Sequence, residues 1–78
     1  MSTSLKNLAV GDTGIIVGFD TAGKAYRKRL LAMGLTRGTE FKITRFAPLG
    51  DPIEIKLRGF SLTLRKDEAA FVLTELVQ

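Results

Sequence analysis

The run Ile53-Glu54-Ile55-Lys56-Leu57-Arg58-Gly59-Phe60-Ser61-Leu62-Thr63-Leu64 carries the clearest structural signal in this chain. Ile53, Ile55 and Leu57 alternate with Glu54, Lys56 and Arg58, the period of a half-buried strand. Arg58-Gly59 is a candidate two-residue hairpin turn. A hairpin closed there pairs Leu57 with Phe60, Ile55 with Leu62 and Ile53 with Leu64, and all of these side chains share one face. A slip of one residue sends one strand's apolar set into water, so the pattern itself supports this register.

Working outward, Pro48-Leu49-Gly50-Asp51-Pro52 forms a rigid turn before the hairpin. Residues 39–47 alternate again, with Phe41 and Ile43 on one face and Arg45 following in their phase. Glu40, Lys42, Thr44 and Phe46 take the other face, which makes Phe46 outward-phased. An unpaired buried guanidinium is very costly, so Arg45 must sit at a barrel mouth, find a carboxylate or follow a bulge. Residues 13–20 hold Ile15, Ile16, Val17 and Phe19, a β-branched run that reads as strand with both faces apolar. The pattern does not choose its inward face. After the hairpin, residues 66–70 read as a single helical turn, where Asp67 and Glu68 offset the helix dipole. Residues 71–77 read as a last strand.

The segment 23–35 has a different period. Tyr26, Leu30 and Met33 recur at i, i+4 and i+7 and share one helical face, with Lys24 and Lys28 opposite. Gly34 is placed to end the helix in the left-handed conformation, and Leu35 then packs back on Leu30. A helix this short is marginal alone in water, so it must dock on the sheet through its apolar stripe. The expected fold is mostly β: a small five-stranded SH3-like barrel, with one short α-helix after the first strand and a helical turn before the last. The chain of 78 residues forms a single domain, 1–78.

Composition narrows the function. There is no Cys and no His, which removes disulfides, soft or imidazole metal sites and the usual nucleophiles and bases. No Gly-x-x-x-x-Gly-Lys-[Ser/Thr] loop is present. No apolar run approaches the ~20 residues of a membrane-spanning helix, and the N-terminus lacks the pattern of a secretory signal. The expectation is a soluble cytosolic non-enzyme with no catalytic residue, cofactor or dedicated metal ligand. Net charge is +4, which permits an acidic protein surface or nucleic acid as partner and demands neither.

Two places are candidate partner-binding surfaces. On the helix, Lys24, Arg27, Lys28 and Arg29 form a basic face in which Leu31 is embedded. An apolar side chain among basic ones marks an interface centre; a solvated face, or Leu31 covering a barrel mouth, is the plainer alternative. In the proline turn, Pro48, Leu49 and Asp51, with Phe46 at the base, present a pre-ordered surface, or simply a good turn. The alternative functions are a small nucleic-acid-binding module and a carboxylate-based metal-sensing module. For the former, only Phe46 near Arg45 and Lys42 resembles a stacking platform.

Tyr26-Arg-Lys-Arg-Leu30, Met33-Gly-Leu35, Gly38, Ala47-Pro-Leu-Gly-Asp-Pro-Ile53, Leu62-Thr-Leu-Arg65 and Glu68-Ala69 together resemble the FeoA family, ferrous iron transport protein A. The resemblance implies a bacterial, cytoplasmic SH3-like accessory protein of ferrous iron uptake. Such a protein has no membrane span of its own and acts by contact with the cytosolic, GTPase-containing part of the FeoB permease. That contact would recruit it to the inner face of the cytoplasmic membrane. The family's recurring segments fall on Arg27, Arg29, Leu30 and Gly34, and on Pro48 to Pro52. Transition-metal binding is implied at family level only, and a chain without His or Cys is poorly equipped for it. Nucleic acid is not the expected partner, and exposed Phe46 or Leu31 would support a weak homo-oligomer.

Overall fold

In the computed structural model, which describes residues 2–77, six strands and two α-helices follow one another along the chain. The strands are β1 (Thr3–Ser4), β2 (Thr13–Phe19), β3 (Glu40–Phe46), β4 (Ile53–Leu57), β5 (Phe60–Leu64) and β6 (Val72–Leu76). The helices are α1 (Lys24–Ala32), between β2 and β3, and α2 (Lys66–Ala70), between β5 and β6. One antiparallel sheet joins the strands in the order β1-β6-β2-β3-β4-β5.

The hairpin register is the expected one: Leu57 opposes Phe60, Ile55 opposes Leu62 and Ile53 opposes Leu64. Gly59 has a positive φ (+85°) at the second central position of the turn while Arg58 does not, the φ pattern of a type II turn. Ile53, Ile55, Leu57 and Leu64 are buried, whereas Phe60, beside the hairpin turn, keeps 48% of its surface exposed. The inward residues of every longer strand meet in one core cluster with Leu30 and Leu35. The molecule is nearly equal in its three dimensions, 27 × 27 × 25 Å. Register shifts in β2 between Ile16 and Gly18, and in β3 between Ile43 and Arg45, bend these strands.

Two expectations change, and one face left open by the sequence is assigned. The sheet has a sixth strand, β1, whose Thr3 and Ser4 pair with Thr74 and Leu73. The Thr74 hydroxyl donates to the Thr3 carbonyl at 3.0 Å, and the Ser4 hydroxyl is shared between the carbonyls of Ala69 and Ala70 at 3.1 Å. These bonds drive Leu5 into the core at 0% exposure. Truncation to Leu5→Ala should cost ~2–5 kcal/mol, the usual range for emptying a buried leucine site; a urea midpoint unchanged from the parent protein would show that the N-terminal segment is dispensable.

The inward face of β2 is Gly14, Ile16 and Gly18, while Ile15, Val17 and Phe19 are half-buried on the other side. Finally, the bulge in β3 reverses the phase read from the sequence. Arg45 opposes Glu54 and is exposed, whereas Phe46 opposes buried Ile53 and packs against the core. Phe46 is therefore not outward-phased, and it shares no face with Arg45 or Lys42 that would make a stacking platform.

Candidate functional site

Helix α1 is fixed to the barrel at both ends. At its start, Gly23 lies so close under Phe71 that a Cβ there would collide with the Cβ of Phe71 and the Cγ of its ring. One turn on, Tyr26 stacks on the same ring with centroids 5.3 Å apart. At its end, Gly34 adopts φ +100°. The Leu35 amide donates to the Leu30 carbonyl at 3.2 Å and the Gly34 amide to the Leu31 carbonyl at 3.0 Å. This paired capping pattern stops the helix and returns Leu35 to the core beside Leu30. With Tyr26, Leu30 and Met33 turned inward, Lys24, Arg27, Lys28 and Arg29 are left on the exposed side of the helix.

What lies on that solvent side is a groove of about 260 Å³ between α1 and the end of β2. Phe19, Asp20 and Thr21 form one wall, Lys24, Arg27 and Leu31 the other, and Arg37 closes one end. Leu31 is 37% exposed. The Asp20 carboxylate accepts the Ala22 amide at 2.9 Å, so it is occupied in holding the turn into the helix. The groove thus offers an apolar strip, Phe19 and Leu31, rimmed by Lys24, Arg27 and Arg37. Its chemistry is recognition of an apolar side chain flanked by carboxylates or other anions.

Arg37, Phe19 and Thr21 were not among the residues singled out from the sequence. Arg37 sits in the loop after α1, with a guanidinium nitrogen 3.5 Å from where a Gly18 Cβ would lie. No periodic pattern covers that loop, so only the fold brings it to the groove. Of the expected helix residues, Lys24, Arg27 and Leu31 line the groove, whereas Lys28 is exposed outside its lining.

Arg29 has a different job. Its Nε lies 3.5 Å from Oε2 of Glu68, a carboxylate on α2 whose side chain is only 5% exposed. The other oxygen, Oε1, accepts the Arg65 amide at 3.0 Å and caps α2. Glu68 is thus a buried acid held between a cap and a cation, not only an acid offsetting a dipole. Arg29→Ala removes the cation facing Oε2, which has no hydrogen-bond partner. That change should destabilise the protein by ~1–3 kcal/mol, the cost of leaving a buried polar group uncompensated. Arg27→Ala, a change at an exposed groove residue, should stay within ~0.5 kcal/mol of the parent. Thermal denaturation of the two variants separates the roles; equal losses would contradict them.

The proline turn is the second expected surface. Leu49 is 94% exposed. The Ala47 amide donates to the Pro52 carbonyl at 3.0 Å and the Gly50 amide to the Ala47 carbonyl at 2.7 Å, which closes the loop. Asp51 anchors it, its Oδ1 accepting the Lys66 amide at the start of α2 at 3.0 Å. Pro48, Leu49 and Asp51 are all exposed, and half-buried Phe46 lies at the loop's base. The turn does not join the groove. One route from the turn to α1 runs through α2, which takes Asp51 at one end and gives Glu68 to Arg29.

Among the described residues, no group of three or more Asp or Glu side chains converges as a metal site would require. Among the described residues no helix is long and apolar enough to cross a membrane.

Fold and site together define a small SH3-like β-barrel with a docked basic helix. Residues 3–76 match the FeoA domain, and the chain belongs to the FeoA family. A curated relative from Porphyromonas gingivalis, an Fe(2+) transport protein A/Fe(2+) transporter FeoB fusion protein, is 34% identical over 73 residues, or 94% of this chain. The chain spans only 8% of that fusion protein's length. A FeoA-like protein from Clostridium acetobutylicum, solved by NMR, superposes with a TM-score of 0.91 at 36% identity, covering 99% of this chain and 88% of that one. FeoA from Stenotrophomonas maltophilia, described as a prokaryotic SH3 domain protein and solved with zinc, shares the fold at 22% identity. Its TM-score is 0.78, with 94% of this chain and 89% of that one covered.

Proposed function

We propose that this chain is a non-enzymatic accessory protein of bacterial ferrous iron uptake, acting in the cytoplasm by contact with the cytosolic part of a FeoB-type permease. The observation that carries this reading is the fusion relative, in which a segment like this chain shares one polypeptide with the transporter. Covalent linkage raises the effective concentration of two modules to the millimolar range, which is useful only if they touch. The groove of α1 supplies the contact: its apolar strip gives area, and Lys24, Arg27 and Arg37 select an acidic rim. The proline turn, held on α2 by Asp51, is a second contact on the same partner.

Calorimetric titration of the chain with the permease's isolated cytosolic region tests the reading. Saturable binding that weakens as salt rises is expected, because the groove's cations are solvent-exposed and screened by ions. No heat at high protein concentration and low salt would remove the proposal.

A further inference from the structure

Strand β5 is the edge of the sheet, and among the described residues no strand pairs with its outer side. In a two-residue hairpin the closing pair exchanges backbone hydrogen bonds and the next pair does not. Phe60, Leu62 and Leu64 therefore turn their amides and carbonyls toward β4, and Ser61 and Thr63 turn theirs outward. Both residues are exposed. Edge strands are usually guarded by lysine, proline or inward charge. Phe60-Ser-Leu-Thr-Leu64 contains none of these.

The charges that immediately flank this strand in sequence are basic. Arg58 precedes it, and Arg65 and Lys66 follow it. Across the solvent face, Lys42 opposes Lys56, and Lys56 opposes Ser61. Like charges directly opposite on neighbouring strands repel. The next position in that row, beyond the small Ser61 side chain, is empty. A carboxylate there reaches across Ser61 to Lys56, the cation that Lys42 crowds. The adjacent row is different: Glu54 opposes Thr63 and already accepts the Thr44 hydroxyl at 3.1 Å, so it calls for a neutral residue. On the core side, half-exposed Phe60 and half-buried Leu62 leave room for apolar neighbours.

A second copy of the chain does not suit this edge. Two-fold pairing centred on Leu62 brings Arg58 of each copy beside Lys66 of the other, and the molecule as a whole carries +4. We infer that β5 is a docking edge for an extended segment of an acidic partner protein. The segment adds as a further strand, with apolar residues on the core side and a carboxylate beside Ser61. This surface is separate from the α1 groove and does not depend on the permease reading.

The test uses a capped synthetic peptide, Glu-Val-Glu-Val-Thr-Val-Glu, and its Lys-for-Glu counterpart. Both are titrated into the full chain by amide NMR. Saturable shifts of the Ser61 and Thr63 amides with the acidic peptide only, lost on N-methylation of its alternate residues, are expected. Thr63→Pro removes an outward donor without touching the ladder to β4, and should weaken binding by about tenfold or more. Lys56→Glu should invert the preference toward the lysine peptide by a similar factor, about tenfold. Shifts confined to the α1 groove, unchanged affinity in both variants, or no shift at millimolar peptide would overturn the inference. A peptide-free dimer abolished by Thr63→Pro would also overturn it, by assigning the edge to a second copy.

Discussion

A Gly14→Val variant is expected to lose its cooperative fold. Gly14 lies in β2, which is hydrogen-bonded to β3 on one side and β6 on the other. A Cβ added there would sit 2.9 Å from the Glu75 carbonyl oxygen and 2.9 Å from Cζ of Phe41. The carbonyl belongs to the neighbouring strand's backbone and cannot rotate away. Phe41 is 2% exposed and has no free space to enter. Overpacking a tight core costs ~1–3 kcal/mol even where side chains can adjust, and valine brings two methyl groups beyond the first clash. A domain of this size rarely holds more than ~3–5 kcal/mol from its core. Gly14→Ala should retain a melting transition at a lower midpoint, and Gly14→Val none above ambient temperature by circular dichroism. A parental midpoint in the valine variant would mean that β2 and β6 are not packed as described.

The double substitution Arg27→Glu/Leu31→Asp is expected to abolish binding to the permease's cytosolic region while leaving the fold intact. Both side chains point into the groove and both are exposed, so neither change buries a new charge. Leu31 supplies the apolar anchor and Arg27 a cation beside it. Interface anchors of these kinds are worth ~2 kcal/mol or more each when removed, and an acidic pair on an acidic rim adds repulsion. The affinity should fall by about 100-fold or more. Lys28→Glu, on the same helix but outside the groove lining, is the matched control and should change affinity by less than about threefold, the rim-charge effect. Equal losses in the double variant and the control would reduce the groove to a nonspecific charge effect.

The parts of this protein legible in its sequence are those where one period dominates. The β4–β5 register followed from six alternating apolar residues around Arg58-Gly59, since any slip exposes them. Helix α1 followed from Tyr26, Leu30 and Met33 together with Gly34, because a 3.6-residue stripe and its stop signal agree. Where the determinant is tertiary, the pattern is silent or misleading. Strand β1 is two residues long, too short for any period, and exists because Thr74 and the end of α2 satisfy its polar groups. In β2 the inward face is largely glycine, which carries no hydropathy signal, so the flanking Ile15, Val17 and Phe19 looked equally inward. The bulge after Ile43 exchanged the faces of Arg45 and Phe46; the cost of an inward Arg45 admitted a bulge, but equally a barrel mouth or a carboxylate partner, so the residues alone did not single it out. Glu68 looked like an ordinary first-turn acid; its burial depends on Arg29 arriving from a distant helix. Arg37 reached the groove for the same kind of reason.

In amide NMR mapping of the chain against the permease's cytosolic region, the largest shifts should fall on Phe19, Thr21, Lys24, Arg27, Leu31 and Arg37, with Lys28 little affected. Binding whose shifts leave these residues untouched would contradict the groove as the contact.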